Sequence, residues 1–257
     1  MNLKAVSLPQ DLAPRSAETL IRLGRDFDGG YLIDARGMYE STALIGLGMN
    51  DDWSFEADFY SRKKLPVYVY DSTVSGQRFI KRFFKSLFVK FHRPARSVNL
   101  FNLCVSYYRF FRDDRRHIRK LVGIDAPPGF ISLASILKGL PNSENTRVFL
   151  KVDIEGWEYR ILEDLIAYSA QIEGLAIEFH DVDIHLDRII QFIKKFPLNL
   201  VHVHGNNTAF VSNHGTPHVI ECTFTSRPAG AVIKADLPHP LDMPCDKNRP
   251  ELKINFA

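Results

Sequence analysis

Two carboxylates and a glycine follow a short apolar stretch near the middle of the chain. Residues 148–152 are rich in β-branched side chains and too few for a stable helix, which predicts a buried strand. Asp153, Glu155 and Gly156 come next, and from Trp157 apolar residues recur at helical spacing. In open α/β sheets ligands bind beyond the carboxyl ends of the strands, so these acids are placed for chemistry. Capping of the following helix is the alternative.

Other predicted strands also end in polar residues or glycines, and in a doubly wound sheet these ends meet at one edge. The residues are Gly46 and Gly48 after the first core strand, Asp71 after the second, Glu178 and His180 after the fifth, and His204 after the sixth.

The first two of these strand ends suggest a cofactor. Glycines at the first turn allow close approach to the backbone, and Asp71 suits hydrogen bonding to the two hydroxyls of a ribose. Together they predict an adenosine cofactor. A dinucleotide fingerprint would need glycine at position 51, where Asp51 would repel a pyrophosphate, so S-adenosylmethionine is favoured over NAD.

Part of the same cluster can alternatively be interpreted as a metal site. Asp153, Glu178, His180 and His204 are ligand types that suit Mg²⁺ or, better, Mn²⁺. A bound metal would lower the pKa of a substrate hydroxyl. The sequence leaves this alternative open.

Residues 150–158, Leu-Lys-Val-Asp-Ile-Glu-Gly-Trp-Glu, resemble the Lys-x-Asp-x-Glu-Gly-x-Glu signature of FkbM-type S-adenosylmethionine-dependent methyltransferases. The resemblance implies a class I methyltransferase sheet and O-methylation of a hydroxyl, commonly on a sugar, with a non-sugar secondary metabolite as the alternative acceptor. An acid that class I enzymes often carry two residues before the first glycine is replaced by Leu44, and we expect Asp51 or Asp52 to take its place. Further matching segments, in chain order, are residues 28–31, 46–56, 70–71 and 177–180.

The resemblance also suggests roles for individual residues. Methyl transfer to a hydroxyl requires a group that takes its proton, and imidazole titrates near neutral pH. The candidate catalytic residues are therefore His180, His204, Asp153 and Glu178. The cofactor would contact Gly46, Gly48, Asp51, Asp71 and Ser72, and the acceptor would contact Glu155, Asp28, Tyr31 and Asn206.

The elements that must position these residues predict one α/β domain with a doubly wound sheet, and the resemblance implies that this sheet has seven, mostly parallel strands. An antiparallel hairpin from residues 198–204 and 218–224 is expected at its end. We divide the domain into an N-terminal extension (1–40), a Rossmann-like core (41–227) and an extended C-terminal wrap (228–257). Within it we expect helices at 16–24, 76–97, 131–140, 157–168 and 186–196, and the third core strand at 98–103.

Residues 76–97 contain seven arginines and lysines and no acid, with phenylalanines at helical spacing. Such a helix commonly packs on a sheet, but it also suits anionic lipid or a phosphate-bearing substrate. A second basic cluster lies at 109–120. The competing hypothesis for the whole chain is a non-catalytic module that docks on membrane or nucleic acid through this helix.

Composition limits the remaining alternatives. A hydrophobic content of 45% and a charged content of 25% argue against disorder, and a net charge of +3 is too small for a protein whose whole surface binds nucleic acid. Three scattered cysteines and the lack of a long apolar run predict a cytoplasmic protein, at most peripheral at the inner face of a membrane. We expect a small-molecule or glycan partner and no nucleic acid, and leave oligomerisation open.

Overall fold

The computed structural model describes residues 3–89, 94–125, 128–232 and 237–257. The strands are β1 (Leu3–Leu8), β2 (Leu20–Leu23), β3 (Tyr31–Asp34), β4 (Ala43–Leu47), β5 (Val67–Tyr70), β6 (Arg115–Ile118), β7 (Leu121–Val122), β8 (Phe130–Ile131), β9 (Val148–Val152), β10 (Ile172–Phe179), β11 (Asn199–Gly205), β12 (Ile220–Thr225) and β13 (Glu251–Phe256). The α-helices are α1 (Ala35–Glu40), α2 (Ser54–Arg62), α3 (Gly76–Val89), α4 (Pro94–Phe110), α5 (Leu133–Lys138), α6 (Leu162–Ala167) and α7 (Val182–Lys195). Short 3-10 helices lie at Gln10–Leu12, Glu158–Arg160 and Ser169–Gln171.

Seven strands form the central sheet in the order β11-β12-β10-β9-β4-β5-β6. All neighbours are parallel except that β12 runs antiparallel to both β10 and β11. The strand order changes direction between β4 and β9, which is where open α/β sheets bind ligands. The predicted fold class, including the antiparallel hairpin, is confirmed.

Alternate residues of β9 explain why the sheet is covered on both faces. Val148, Leu150 and Val152 pack into one hydrophobic core with side chains from α5, α6 and α7. Phe149 points to the other face, into a core that includes Phe55 and Phe59 of α2 and residues of α3 and α4. A strand buried on both faces is apolar almost throughout, as parallel strands usually are. Lys151 is the exception, and it lies near the carboxyl end.

The predicted third strand at 98–103 is wrong, because these residues belong to α4. Leu100 and Cys104, one helical turn apart, are the buried residues of that helix. The third strand is instead β6, an edge strand that pairs only with β5 within the described residues. Its sequence, Arg-Arg-His-Ile, is too polar to be recognised as a sheet strand from hydrophobicity alone.

The predicted helix at 16–24 is also wrong. Residues 20–23 form β2, which pairs antiparallel with β3. The Arg22 guanidinium donates hydrogen bonds to the carbonyl oxygens of Phe27 and Gly30 across the turn. These contacts link Arg22 of β2 to residues five and eight positions further along the chain. The sequence pattern around residue 20 alone therefore does not reveal them. The chain turns at Asp28 and Gly29, between these two strands.

The basic helix predicted at 76–97 corresponds to parts of two helices in the described chain. Helix α3 covers Gly76–Val89 and α4 begins at Pro94, whereas Lys90, Phe91 and Arg93 of the predicted helix lie outside the described residues. No helix in the described parts of the chain is long and apolar enough to cross a membrane.

The two chain ends meet. Strand β1 pairs in parallel with β13, from Leu3 opposite Glu251 to Leu8 opposite Phe256. The C-terminal segment predicted as an extended wrap therefore ends in a strand that joins it to the N-terminal extension.

Candidate functional site

A cavity of about 780 Å³ lies at the carboxyl ends of the central strands. Segments after β5 and β6 line one end, those after β9 and β10 line the other, and the loop after β4 lies between them, as the strand order requires. Of the residues predicted from sequence, the cavity is lined by Asp28, Gly48, Asp51, Asp71, Ser72, Asp153, Glu155, Glu178, His180 and Asn206. Gly46, Tyr31 and His204 are not among the lining residues.

Asp71 is fully occupied by hydrogen bonds within the chain. Its Oδ2 accepts from the backbone N–H groups of Met49 (3.0 Å) and Asn50 (2.8 Å), and its Oδ1 accepts from the N–H and hydroxyl of Thr73, both at 2.6 Å. Burial raises the pKa of Asp71, but these hydrogen bonds outweigh it and hold the pKa below its ordinary value. A carboxylate has about four acceptor positions, so none is left for a ribose. Asp71 instead fixes the loop after β4.

The two glycines are required by contacts inside the protein. A Cβ on Gly48 would lie 1.7 Å from the carbonyl oxygen of Asp153, and Gly48 has a φ of +80°. A Cβ on Gly46 would lie 2.5 Å from Oε1 of Glu56. Gly46 makes room for the Glu56 carboxylate and does not line the cavity, so its predicted cofactor contact is corrected. Gly48 lets the loops after β4 and β9 touch and also lines the cavity, so its cofactor contact stays a prediction.

Glu56 is a cavity residue to which the sequence interpretation gave no role. It is buried, and its Oε1 has no hydrogen-bond partner within the described chain. Burial raises its pKa to about 7, and the charge of Lys151 opposes that rise. Asp51 and Asp52, the expected replacements for the missing acid, are paired with Arg82 (3.3 Å) and Arg25 (3.1 Å).

A signal for Glu56 was present in the sequence. The acid follows directly on Phe55 in the first turn of α2, and both side chains are buried. A glutamate is almost never fully buried unless it is paired, so a buried one needs a partner. The space for its carboxylate is provided across the fold by Gly46, which has no side chain.

A buried network of charged and polar groups lies beneath the β9 end of the cavity. The Lys151 ammonium donates to the carbonyl oxygen of Gly48 (3.0 Å) and to Oδ2 of Asp153 (3.1 Å). The Tyr31 hydroxyl lies 3.2 Å from Asp153 and 3.0 Å from Glu178. Tyr31 is buried, so it supports the two carboxylates from behind, and its predicted contact with the acceptor is corrected.

The two carboxylates of this network differ in protonation. Burial raises the pKa of Asp153, but the Lys151 charge more than compensates and lowers it overall. Burial and the charges of Asp153 and Glu221 raise the pKa of Glu178 to about 8. Asn206 donates a hydrogen bond to Glu178 Oε1 at 3.0 Å. At neutral pH Asp153 is ionised and Glu178 mainly carries a proton.

His180 lies just beyond the end of β10. Its Nδ1 is 3.0 Å from Oε1 of Glu158, and its Nε2 faces the cavity, 3.5 Å from Glu155 and 3.8 Å from Glu178. Burial lowers the pKa of His180, but the hydrogen bond to Glu158 and the nearby carboxylates outweigh it and raise the pKa to about 9. His180 is therefore an imidazolium at neutral pH, and it acts as a base only after losing that proton.

Glu158 was quoted in the sequence signature without a role. Its Oε1 accepts from the backbone N–H groups of Ile154 (3.1 Å) and Gly156 (3.3 Å) as well as from His180. It thus folds the loop after β9 and orients the histidine. Glu158 is the last acid of the signature, so the sequence did mark this residue.

His204 lies in a separate, sealed cluster. Its Nδ1 is 3.0 Å from Glu221 and its Nε2 is 3.3 Å from Glu251, and both carboxylates are buried. Burial lowers the pKa of His204, but the Glu221 charge and neighbouring hydrogen bonds raise it well above its ordinary value. The prediction that His204 reaches the reaction centre is corrected, since Glu251 of β13 covers it.

The predicted metal-ligand set is split between these two places. Asp153, Glu155 and His180 have ligand atoms within 4.8 Å of one another, whereas His204 groups with Glu221 and Cys245. The first group fits a metal poorly: Lys151 already binds Asp153, and a protonated His180 has no lone pair to offer. No chemical step is assigned to a metal.

Comparison with known proteins gives no family. No protein-family model and no curated protein matches the chain. Solved structures with similar folds include 23S rRNA methyltransferase ErmE (TM-score 0.38, 10% identity, 78% of this chain and 69% of that chain) and a Streptococcus thermophilus rRNA methylase (0.37, 9%, 75% and 93%). Another is fibrillarin in complex with Nop5p (0.36, 10%, 72% and 73%). The fold assignment rests on the order and direction of the strands.

Proposed function

We propose that this chain binds S-adenosylmethionine in the main cavity and transfers its methyl group to a hydroxyl of a carbohydrate. The observation that carries the proposal is Glu56, a buried residue in the cavity at the switch point of the sheet, whose carboxylate Oε1 has no hydrogen-bond partner within the described chain. An unpaired buried carboxylate is costly unless a cation reaches it. The ammonium of the methionine moiety is such a cation.

The remaining lining residues suit the rest of the cofactor. Tyr70, Leu121 and Val122 form an apolar end near β5 and β6 for a flat aromatic base. Ser72 offers a hydroxyl for the ribose, a role that the saturated Asp71 cannot take. Asp71 contributes indirectly by holding the loop after β4. S-adenosylmethionine, when bound, supplies a methyl group already activated by a sulfonium.

The acceptor end of the cavity holds the acid–base residues. Asp153, ionised at neutral pH, accepts a hydrogen bond from an acceptor hydroxyl, and His180 Nε2 faces the same space. A positive charge beside His180 lowers the pKa of its imidazolium, so His180 loses its proton more readily with the sulfonium in place. The neutral imidazole then takes the hydroxyl proton. Asn206, Thr208 and the carboxylates give a sugar several hydrogen-bonding partners.

Cofactor titrations of a Glu56→Gln variant test this proposal. S-adenosylhomocysteine carries the amino-acid ammonium, whereas 5′-methylthioadenosine lacks it. We expect Glu56→Gln to weaken S-adenosylhomocysteine binding by about 10- to 100-fold, the loss of one charge-assisted hydrogen bond, and to leave methylthioadenosine binding unchanged. Isothermal titration measures both. Asp58→Asn, on the same helix but paired with Arg62, is the matched control.

Two results would contradict the proposal. If the wild-type protein binds neither ligand, the cavity is not a site for this cofactor. If Glu56→Gln weakens both ligands equally, Glu56 shapes the cavity rather than binding the ammonium.

We further propose that helices α3 and α4 dock the protein on an anionic membrane surface. Residues 76–110 contain no acid, and their described cations include Arg78, Lys81, Arg82 and Lys85. The same helices expose large apolar side chains, among them Phe88 at 83% exposure. Other exposed apolar residues of the pair are Ile80, Phe84, Leu87, Val98, Phe101, Val105 and Tyr108.

Charge and side-chain type favour lipid over other partners. Half of these exposed apolar residues, including Leu87 and Val98, are aliphatic; such side chains suit insertion among acyl chains but give single-stranded nucleic acid no ring to stack on. A second copy of the chain would bring the same cations and be repelled. In the middle of α3, Arg82 pairs with Asp51, which lines the main cavity, so a docked protein would hold that cavity near the lipid surface.

Vesicle co-sedimentation tests the docking. We expect binding to phosphatidylglycerol vesicles that weakens between about 0.05 and 0.5 M salt, and little binding to phosphatidylcholine. Phe84→Ser with Phe88→Ser, and separately Lys81→Gln with Lys85→Gln, should each reduce it. Ile184→Ser is the control, because Ile184 is 72% exposed but lies on α7. Two results would contradict docking on lipid. One is vesicle binding that does not depend on lipid charge. The other is vesicle binding that RNA abolishes while vesicles do not displace bound RNA.

A further inference from the structure

A second cavity, of about 510 Å³, lies beside the acceptor end of the main one. Glu155 and Trp157 line the main cavity, and Gly156 between them lines the second. The other residues around the second cavity are Ile124, Tyr159, Arg160, His185 and Arg188. Two arginines and a histidine therefore face a space that adjoins the predicted reaction centre.

Both arginines have free hydrogen-bonding capacity. Within the described parts of the chain, neither Arg160 nor Arg188 has a carboxylate within 4.0 Å. Arg188 uses one N–H to donate to the carbonyl oxygen of Tyr159, at 2.8 Å. A guanidinium has five N–H donors in a planar fork, so most of them are available. The nearby acid Asp181 is already paired with His218, at 3.1 Å.

Aromatic rings hold these cations in position. The Arg160 guanidinium lies 4.5 Å from the ring centre of Trp157, and that of Arg188 lies 5.2 Å from the ring centre of Tyr159. The His185 ring lies 4.1 Å from the same tyrosine ring. Cation–π contacts of this kind reduce the side-chain freedom that an arginine would lose on binding a ligand. The cations are therefore preorganised although their side chains are partly in water.

The loop between the two cavities links them. Gly156 has a φ of +91° and adds no side chain between the two cavities; within the described chain, the one atom within 4 Å of a Cβ built there is Asp181 Oδ2, at 3.7 Å. The Tyr159 hydroxyl donates to the carbonyl oxygen of His180. One wall thus carries both His180, which faces the main cavity, and the ring that positions Arg188.

We infer that the second cavity is an anion subsite for the acceptor, which takes the phosphate or diphosphate of a phosphorylated sugar while a sugar hydroxyl reaches His180. This inference rests on the proposed methyl transfer and specifies its substrate class. Paired guanidinium groups match phosphate oxygens in a bidentate way, and His185 adds a third donor. The phosphate can come from a nucleoside-diphosphate sugar or from a lipid-linked sugar diphosphate.

The test titrates inorganic pyrophosphate into the protein saturated with S-adenosylhomocysteine, by calorimetry. We expect the double variant Arg160→Gln/Arg188→Gln to bind pyrophosphate at least tenfold more weakly than wild type and to bind S-adenosylhomocysteine equally well. Arg15→Gln/Arg116→Gln is the matched control: it removes the same charge from exposed arginines outside both cavities and should bind pyrophosphate like wild type.

The outcomes separate this inference from the proposed function. Equal pyrophosphate binding by the three proteins overturns the subsite even if S-adenosylhomocysteine binds. Failure of S-adenosylhomocysteine to bind, with pyrophosphate binding still dependent on the two arginines, overturns the methyl-transfer proposal and leaves an anion site. Displacement of pyrophosphate by uridine diphosphate glucose indicates a nucleotide-sugar acceptor, and displacement by a short polyprenyl diphosphate indicates a lipid-linked one. Displacement by neither overturns the acceptor role.

Discussion

His180 and His204 have nearly the same surroundings by residue type and yet lie in opposite kinds of site. Each imidazole lies within 4.0 Å of at least two carboxylates, and each has a raised pKa. The Nε2 of His180 faces an open cavity, whereas both ring nitrogens of His204 are enclosed by buried glutamates. Access to the cavity, and not the identity of the neighbours, separates a candidate catalytic group from a structural one.

The difference follows from where the strands end. Strand β10 stops at Phe179, so His180 is the first residue beyond it. Strand β11 continues to Gly205, so His204 still pairs with Glu221 of β12 and is covered by Glu251 of β13. A shift of two residues in the end of a strand therefore decides whether a histidine meets a ligand or a neighbouring strand.

The largest expected effect concerns turnover. His180→Gln keeps a hydrogen-bond donor for Glu158 but cannot take a proton, so we expect methyl transfer to fall by about 100- to 10,000-fold with S-adenosylhomocysteine affinity unchanged. In the wild-type protein the rate should rise with pH as the imidazolium is lost, toward about pH 9 in the absence of bound charge. Single-turnover rates across pH measure both.

The comparison provides the control for that experiment. His204→Gln, measured per folded molecule, should retain its pH profile and most of its rate. A larger loss of rate in His204→Gln than in His180→Gln would reverse the assignment of the two histidines.

The second expected effect concerns stability. His204→Gln removes the cation between Glu221 and Glu251 and leaves two buried carboxylates, which should lower the free energy of unfolding by about 3–5 kcal/mol. His180→Gln should lower it by less, because Glu158 keeps two backbone donors and Glu155 is solvated. Urea unfolding at pH 7 measures both.

A second substitution sharpens this prediction. Glu251→Gln added to His204→Gln removes one of the stranded charges and should recover part of the loss. No recovery would mean that packing, rather than charge, accounts for the effect.

Local patterns were sufficient for most of the central sheet and for part of the site. The apolar, β-branched run at residues 148–152 and the acids after it predicted β9 and the cavity edge, because a buried parallel strand and its polar end are adjacent in sequence. The order of the strands also followed from the predicted class. The polar edge strand β6 was not predicted, since an edge strand need not be apolar.

The missed features depend on residues far apart in the chain. Glu56 is directed into the cavity by the space above Gly46, and His204 is sealed by Glu251, 47 positions later. Asp71 loses its predicted ribose contact because Met49 and Asn50 bind it first. Sequence spacing identifies which groups can react. Whether those groups still have hydrogen-bonding positions free for a ligand depends on partners that only the tertiary fold supplies.

The smallest expected effect is the pH dependence of stability. The pKa of His180 is raised to about 9 from an ordinary value near 6.5, so the stability it contributes is fully present below about pH 6.5 and is lost as the pH rises through 9. Wild-type protein should therefore lose more thermal stability between pH 7 and 9.5 than His180→Gln does. His204 is intact in both proteins, so its own contribution cancels in the difference. Equal losses in the two proteins would mean that His180 is not held as an imidazolium. It would then resemble His204 only in the residue types that surround it.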